Sequence, residues 1–411
     1  MFEYTFKNPV YKNEFFIRGA AFNSLYKLKK EKELTVAYLG GSITQSETWS
    51  KSTTKWLREN YKSKINEINI GLAGTEADLA VCRIDSDILT YNPDLIFIEY
   101  AVNGGAKKDM EGMVLKIRNH NPQSDIIFVY TTTIEKYNSY KEGQLPEYPA
   151  IYEEVAKHYN ITSIFFANQL FDLYEQGKVI LAGDKAQEGK ILYTNDGTHL
   201  TASGGWLAAG AIARCFTAME KDFDAESYTP KSYAIPKTTC DKAPWIDATC
   251  SVDWSKMKFE GEWFDCSLQN GEFKNYSYTG SYLDTFKKVF PNMQGTKTVG
   301  SSVTVRFCGT HIGVFEAGGQ YSGQLRVIVD CTELDKKLVL YNKYYGAYIR
   351  HQYYFIKELP KGEHTVTFVL DSEMPDKSAL QNKNPNDKTY EKNELYLGRI
   401  LLKGKLLDAN Q

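Results

Sequence analysis

The chain has 411 residues, of which 42% are hydrophobic and 24% charged, with a formal net charge of -2. That length suggests two or three domains with ample chain for large cores, and the near-neutral balance without a basic stripe excludes a nucleic-acid partner. Nowhere does an apolar run approach the roughly 18 residues a membrane span needs, so no membrane association is expected.

The N-terminus, Met1-Phe-Glu-Tyr-Thr-Phe-Lys-Asn-Pro9, lacks the basic start and apolar stretch of a signal peptide, and the chain as given reads as cytoplasmic. Residues 1–33 are expected to form a lead-in packed on the surface. From about residue 34 to 220, short apolar runs alternate with amphipathic stretches. Leu34–Leu39, Ile65–Ile70, Leu95–Tyr100, Ile126–Tyr130 and Thr162–Phe166 read as buried strands. Ser50–Tyr61, Ala77–Leu89, Met110–His120, Tyr148–Tyr159 and Ser203–Met219 read as helices between them. Near-continuous apolar strands separated by helices predict a parallel sheet covered on both faces. Pro230, Pro236 and Pro244 punctuate a stretch without periodicity, read as a linker over 226–250 after a first domain of 1–225. The remainder, 251–411, holds strands of alternating polarity: Lys258–Phe264, Ser302–Phe307, Ile312–Glu316, Leu325–Cys331, Lys337–Tyr341, Gln352–Ile356, His364–Leu370 and Glu394–Leu402. Gly309, Gly318-Gly319, Gly323 and Lys361-Gly362 mark turns, the grammar of an antiparallel β-sandwich. Residues 372–393 are polar and read as a long exposed loop. The seven cysteines are odd in number and show no Cys-x-x-Cys spacing, so reduced thiols are expected; Cys240 and Cys250 are the one pair considered for a bridge.

Chemistry gathers at the strand ends. Leu39-Gly40-Gly41-Ser42-Ile43-Thr44 follows the first strand, where ligands bind in open α/β sheets. By itself Ser42 reads equally as a helix cap, and the spacing fits neither a P-loop nor a G-x-G-x-x-G fingerprint. Asn195-Asp196-Gly197-Thr198-His199 precedes the last helix. An Asp and a His at this spacing in a turn can face one way, the carboxylate orienting an imidazole that takes a proton from a serine hydroxyl. Taken alone, this pair also reads as a helix cap beside a surface histidine. Gly71-Leu-Ala-Gly74-Thr75 and Ala101-Val-Asn103-Gly104-Gly105 follow the second and third strands and offer the amide donors that an oxyanion hole uses. His120, His158, His311, His351 and His364 show no metal-ligand spacing, and no metal or other cofactor is expected. Arg83 either approaches the site or pairs with Asp85 or Asp87. Glu99 either supports Asn103 or binds the preceding turn, and Trp206 reads as core.

In this order the four elements resemble the blocks of the SGNH (GDSL-like) hydrolase superfamily, over roughly residues 34–220. Gly41 stands where the family usually has Asp, a variant of polysaccharide-active subgroups, and Gly104 stands where Asn is usually followed by Asp. The resemblance implies a flavodoxin-like three-layer α/β/α domain. It implies Ser42 as nucleophile, His199 as general base and acid, and Asp196 as its orienting partner. The Ser42 amide, the Gly74 amide (Gly71 being the rival) and the Asn103 side chain would then hold the oxyanion, with Gly41 and Arg83 as further substrate contacts. The second half is similar, more loosely, to jelly-roll, carbohydrate-binding-like modules attached to carbohydrate esterases. There Tyr344, Tyr345 and Tyr348 are candidates for stacking on a sugar, with edge packing as the alternative. Together these readings predict a carbohydrate esterase that removes an acyl, expectedly acetyl, group from a small-molecule or oligosaccharide ester. A carbohydrate O-acyltransferase using the same triad and a non-catalytic glycan-binding protein are the alternatives.

Overall fold

The apolar runs of the first half become the strands expected of them in the computed structural model, which describes residues 13–266, 288–346, 349–380, 386 and 388–411. Residues 1–12 of the lead-in, Tyr348, and positions 381–385 and 387 of the polar loop lie outside the described residues. The chain divides into two units between Ile246 and Asp247.

In the first unit the strands are β1 (Phe15–Phe16), β2 (Glu33–Gly40), β3 (Lys64–Asn69), β4 (Leu95–Glu99), β5 (Asp125–Tyr130) and β6 (Thr162–Phe165). They form one sheet in the order β1-β6-β5-β4-β2-β3. All neighbours run parallel except β1, which caps β6 antiparallel. The helices are α1 (Phe22–Tyr26), α2 (Ser42–Gln45), α3 (Thr48–Tyr61), α4 (Ala77–Asp87), α5 (Lys107–His120), α6 (Tyr137–Lys141), α7 (Glu147–His158), α8 (Phe166–Glu175) and α9 (Ala202–Glu220). Helix α9 packs on α3 and α8, while α5 packs on α4 and α7, giving a layer on each face of the sheet. Strand β2 shows the sheet's period of two. Leu34, Val36 and Tyr38 join the core beneath α3 and α9, while Ala37 and Leu39 are buried on the opposite side. Tyr38 stacks on its register partner Phe97 at 5.3 Å, with Trp49 of α3 edge-on to both. The parallel set therefore has the flavodoxin-like order, with its switch point between β2 and β4, where consecutive loops diverge and leave a crevice.

Several short elements carried no periodic signal. The parallel pair β7 (Val179–Ala182) and β8 (Ile191–Thr194) lies apart from the main sheet, and α8 follows β6 without a break. The stretch expected to be a linker is held on the first unit by single anchors. Trp245 is buried and its amide donates to Lys108 O at 3.0 Å. The Tyr233 amide donates to Pro122 O, its ring lies under the Arg118 guanidinium at 3.8 Å, and Glu111 accepts from the amides of Cys240 and Asp241.

In the second unit, the segment expected as two strands is one, Ser302–Gly318. It pairs with Gly362–Leu370 beside its first half, with Arg350–Phe355 beside its second, and with Leu395–Leu407 along its middle. A register shift at Gly309/His311, in the pairing with Leu395–Leu407, marks the change and has the form of a β-bulge. Val303, Val305, Phe307, Ile312 and Val314 fill the core of this antiparallel β-sandwich. None of the seven cysteines forms a disulfide. Among the described residues no helix is long and apolar enough to cross a membrane.

Candidate active site

Ser42 opens α2 directly after β2, and Asp196 and His199 sit in the turn between β8 and α9. Local chemistry shapes that turn. The Thr194 hydroxyl accepts from the Gly197 amide at 3.0 Å, and Asp196 Oδ1 accepts from the amides of Thr198 and His199 at 2.9 and 2.8 Å. These bonds wrap the backbone around the carboxylate, as short Asx side chains do in turns. Thr201 caps α9 by accepting from the Gly204 amide. A side chain at Gly205 would stand 2.6 Å from the carbonyl carbon of Thr48, so glycine lets the start of α9 close onto the start of α3, beside the Ser42 turn.

The result is a continuous hydrogen-bonded line. His199 Nε2 lies 2.8 Å from Ser42 Oγ, and His199 Nδ1 lies 2.6 Å from Asp196 Oδ2. Burial raises the Asp196 carboxyl, but hydrogen bonds from the His199 ring and from the His199 and Thr198 amides outweigh it and hold the group down at about 2. Asp196 is therefore a carboxylate at neutral pH and can accept a hydrogen bond from a proton on Nδ1, while Nε2 faces the Ser42 hydroxyl. The His199 and Asp196 side chains are 45% and 55% exposed, so the pair lies open to solvent. A second Asp–His pair in the sandwich shows what the dyad alone does not make: His364 bonds Asp330 through one nitrogen and the Pro360 carbonyl through the other, leaving no base free.

The loop after β3 has its amides assigned one by one. Gly71 donates to Asn69 Oδ1 at 2.8 Å, Leu72 to Gly40 O at 2.9 Å and Ala73 to Gln45 Oε1 at 2.5 Å. The exposed Gly74, at φ +68°, has its amide unengaged among the described residues. The Ser42 amide, at the first helical position, is likewise without a backbone partner, as such positions are. Asn103 lies against Gly41, and its buried Oδ1 has no hydrogen-bond partner among the described residues.

Other expected site residues lie elsewhere. Arg83 is fully buried, pairs with Asp87 at 3.0 Å and donates to the Ile70 carbonyl, so it braces α4 against the end of β3 and does not face a substrate. Tyr345 is 1% exposed and donates to the buried Glu316, so its ring is packed in the sandwich and not open for stacking; Tyr344, 40% exposed, lies between Lys343 and Arg350. Trp206 is half-buried beneath Lys55 and lies outside the core. Glu99 accepts from Thr44 and Thr131. Sequence reasoning missed Thr131, Gln45 and Tyr148, whose ring packs on Gly104. Their types carry no motif, and only the fold brings them here. Among the described residues no three His, Cys, Asp or Glu side chains converge as metal ligands would.

No family model matches the chain, and no curated protein matches it. Its fold is shared with solved structures. A two-domain esterase active on acetylated mannans aligns with a TM-score of 0.67 at 19% identity, over 94% of this chain and 96% of that one. The crystal structure of such an esterase co-crystallized with mannopentaose aligns with a TM-score of 0.64 at 18% identity, over 94% of each chain. The architecture they share with this chain is a flavodoxin-like α/β unit followed in sequence by an antiparallel β-sandwich.

Proposed function

We propose that this protein is a serine esterase that removes acetyl groups from a carbohydrate through an acyl-enzyme. The observation that carries the reading is the His199 imidazole standing between Ser42 Oγ at 2.8 Å and Asp196 Oδ2 at 2.6 Å. In this reading His199 Nε2 takes the Ser42 proton as Oγ bonds to the acyl carbon. The negative charge on the former carbonyl oxygen is met by the Ser42 and Gly74 amides and the Asn103 side chain. The tetrahedral intermediate collapses, the sugar oxygen leaves with the proton from His199, and acetyl remains on Ser42. Water, deprotonated by the same imidazole, then releases acetate. Asp196 stays ionised throughout and stabilises the imidazolium. The half-exposed dyad and the fold shared with a mannan-active esterase support a bulky acetylated oligosaccharide as substrate.

The test is hydrolysis of p-nitrophenyl acetate and of acetylated manno-oligosaccharides by wild type, Ser42→Ala, His199→Ala and Asp196→Asn. The first two variants should lose on the order of a million-fold in kcat and the third about ten-thousand-fold. Activity that survives Ser42→Ala would remove the triad reading. Acetyl transfer to an added glycan in place of release to water would move the assignment to a transferase.

A further inference from the structure

At the switch point of the sheet lies a carboxyl the triad does not use. Glu99 ends β4, has no exposed surface, and accepts from two threonines on different elements: Thr44 Oγ1 of α2 at 2.9 Å and Thr131 Oγ1 after β5 at 2.5 Å. Thr44 follows Ser42 by two positions, and its carbonyl is in turn held by Asn69 Nδ2 at 2.9 Å. Thr131 begins the loop whose Ile134 amide donates to Gly197 O at 3.0 Å, inside the turn that carries Asp196 and His199. The Ile134 side chain also fills the space beside the Gly197 Cα. One buried carboxyl thus connects the backbone beneath the nucleophile to the loop beneath the base.

We propose that Glu99 is a positioning residue, a strut that sets the Ser42 turn and the Asp196–His199 turn at hydrogen-bonding distance from one another. It rests on the triad reading for its catalytic consequence and on geometry alone for its structural one. Among the described residues, the titratable groups that face it are phenols: Tyr193 from β8, whose buried hydroxyl has no hydrogen-bond partner there, and Tyr100, the next residue, whose hydroxyl reaches Gly40 O and Arg83. Burial pushes the Glu99 carboxyl up to about 7, against the opposing hydrogen bonds of Thr131, Thr44 and the Ala101 amide. When ionised, Glu99 must be the acceptor from both threonines, which fixes both hydroxyls. When protonated, it donates one bond and frees a threonine to turn. The strut is stiffer in its charged form.

The experiment measures kcat, KM and the pH profile for Glu99→Gln, Glu99→Ala and Thr131→Val, with amide hydrogen exchange over 131–136 and 194–200. Glu99→Ala should lower kcat on the order of 100-fold with KM within about two-fold, as a displaced catalytic pair does. Glu99→Gln should recover part of that loss and remove an ionisation near neutrality from the kcat profile. Exchange at Ile134 should quicken in Glu99→Ala and Thr131→Val and less in Glu99→Gln. Wild-type kcat, profile and exchange in all three variants would overturn the strut while Ser42→Ala independently upholds or removes the triad. Because exchange does not depend on turnover, the strut is tested even if the triad reading fails. Should Glu99→Ala not fold, Thr131→Val and Glu99→Gln carry the test.

Discussion

A Cβ added to Gly41 would overlap Oδ1 and Cγ of Asn103 and stand 2.7 Å from its Nδ2. The residue before the proposed nucleophile and the side chain proposed as oxyanion donor therefore compete for one space. Glycine resolves the competition in favour of Asn103. Gly41→Ala should displace the amide and lower kcat about 100- to 1000-fold, the usual effect of losing one oxyanion donor, with KM and the far-ultraviolet circular dichroism little changed. Unaltered kcat would mean that Asn103 makes no contact with the oxyanion.

Gly71 and Gly74 should separate in the same way. A side chain at Gly71 would run into the backbone of Thr44 and Gln45, so Gly71→Ala should lower the melting temperature and disturb α2. Gly74 sits at φ +68°, where alanine costs roughly 1–2 kcal/mol, and that strain falls on the unengaged amide. Gly74→Ala should therefore reduce kcat more than stability. Paired melting curves and kcat values decide between them. If Gly71→Ala alone loses activity at unchanged melting temperature, the donor is Gly71.

How much of this was legible beforehand follows from what periodicity and motifs encode. Buried strands such as Leu95–Glu99 and amphipathic helices such as Ala77–Asp87 announce themselves because burial on one or two faces repeats along the chain. Ser42, Asp196 and His199 are singled out by residue type and local spacing, and the fold brings their side chains to hydrogen-bonding distance, which is what the proposed triad rests on. Tyr345 and Arg83 each leave two readings open because an aromatic or a cation looks the same in sequence whether packed or presented; both are buried, and Arg83 takes the alternative of pairing with Asp87. The Glu99–Thr131 contact joins residues 32 apart and has no local pattern at all. The stretch 226–250 reads as a linker for a related reason, since isolated anchors such as Tyr233 and Trp245 leave no repeat.

Glu14 and Arg214 bury an ion pair that ties the lead-in to α9, with Arg214 Nε at 2.8 Å and Nη2 at 2.6 Å from the carboxylate. Both side chains are almost inaccessible. Arg214→Ala would strand the carboxylate in a place without solvent and should cost about 3–5 kcal/mol in urea denaturation. Replacing both residues with apolar ones of similar volume should cost much less, since no charge is then left uncompensated. Equal losses in the single and double variants would show that packing, not charge, is what the pair supplies.

The pH dependence of stability has a sign that can be worked out from four buried carboxyls. Desolvation raises Glu99 and Asp109 to about 7, Asp125 to about 6 and Glu316 to about 8, each against hydrogen bonds that favour its charged form. In the unfolded chain these groups ionise at ordinary values near 4, so between pH 4 and 8 the folded protein holds protons that the unfolded one has released. Stability must then fall as pH rises through this window and level off above it. His364, raised by Pro360 O and Asp330 against its burial, acts in the same direction. Asp196 acts oppositely, but its contribution is complete above its ordinary value and is lost only on acidification towards 2. Chemical denaturation from pH 5 to pH 8 should show a declining unfolding free energy. Glu316→Gln removes a carboxyl whose Oε2 has no hydrogen bond among the described residues, and should flatten that decline by about 1–3 kcal/mol. A stability that climbs between pH 5 and pH 8, or a slope that Glu316→Gln leaves untouched, would show that these carboxyls reach water in the folded protein and ionise there as ordinary acids.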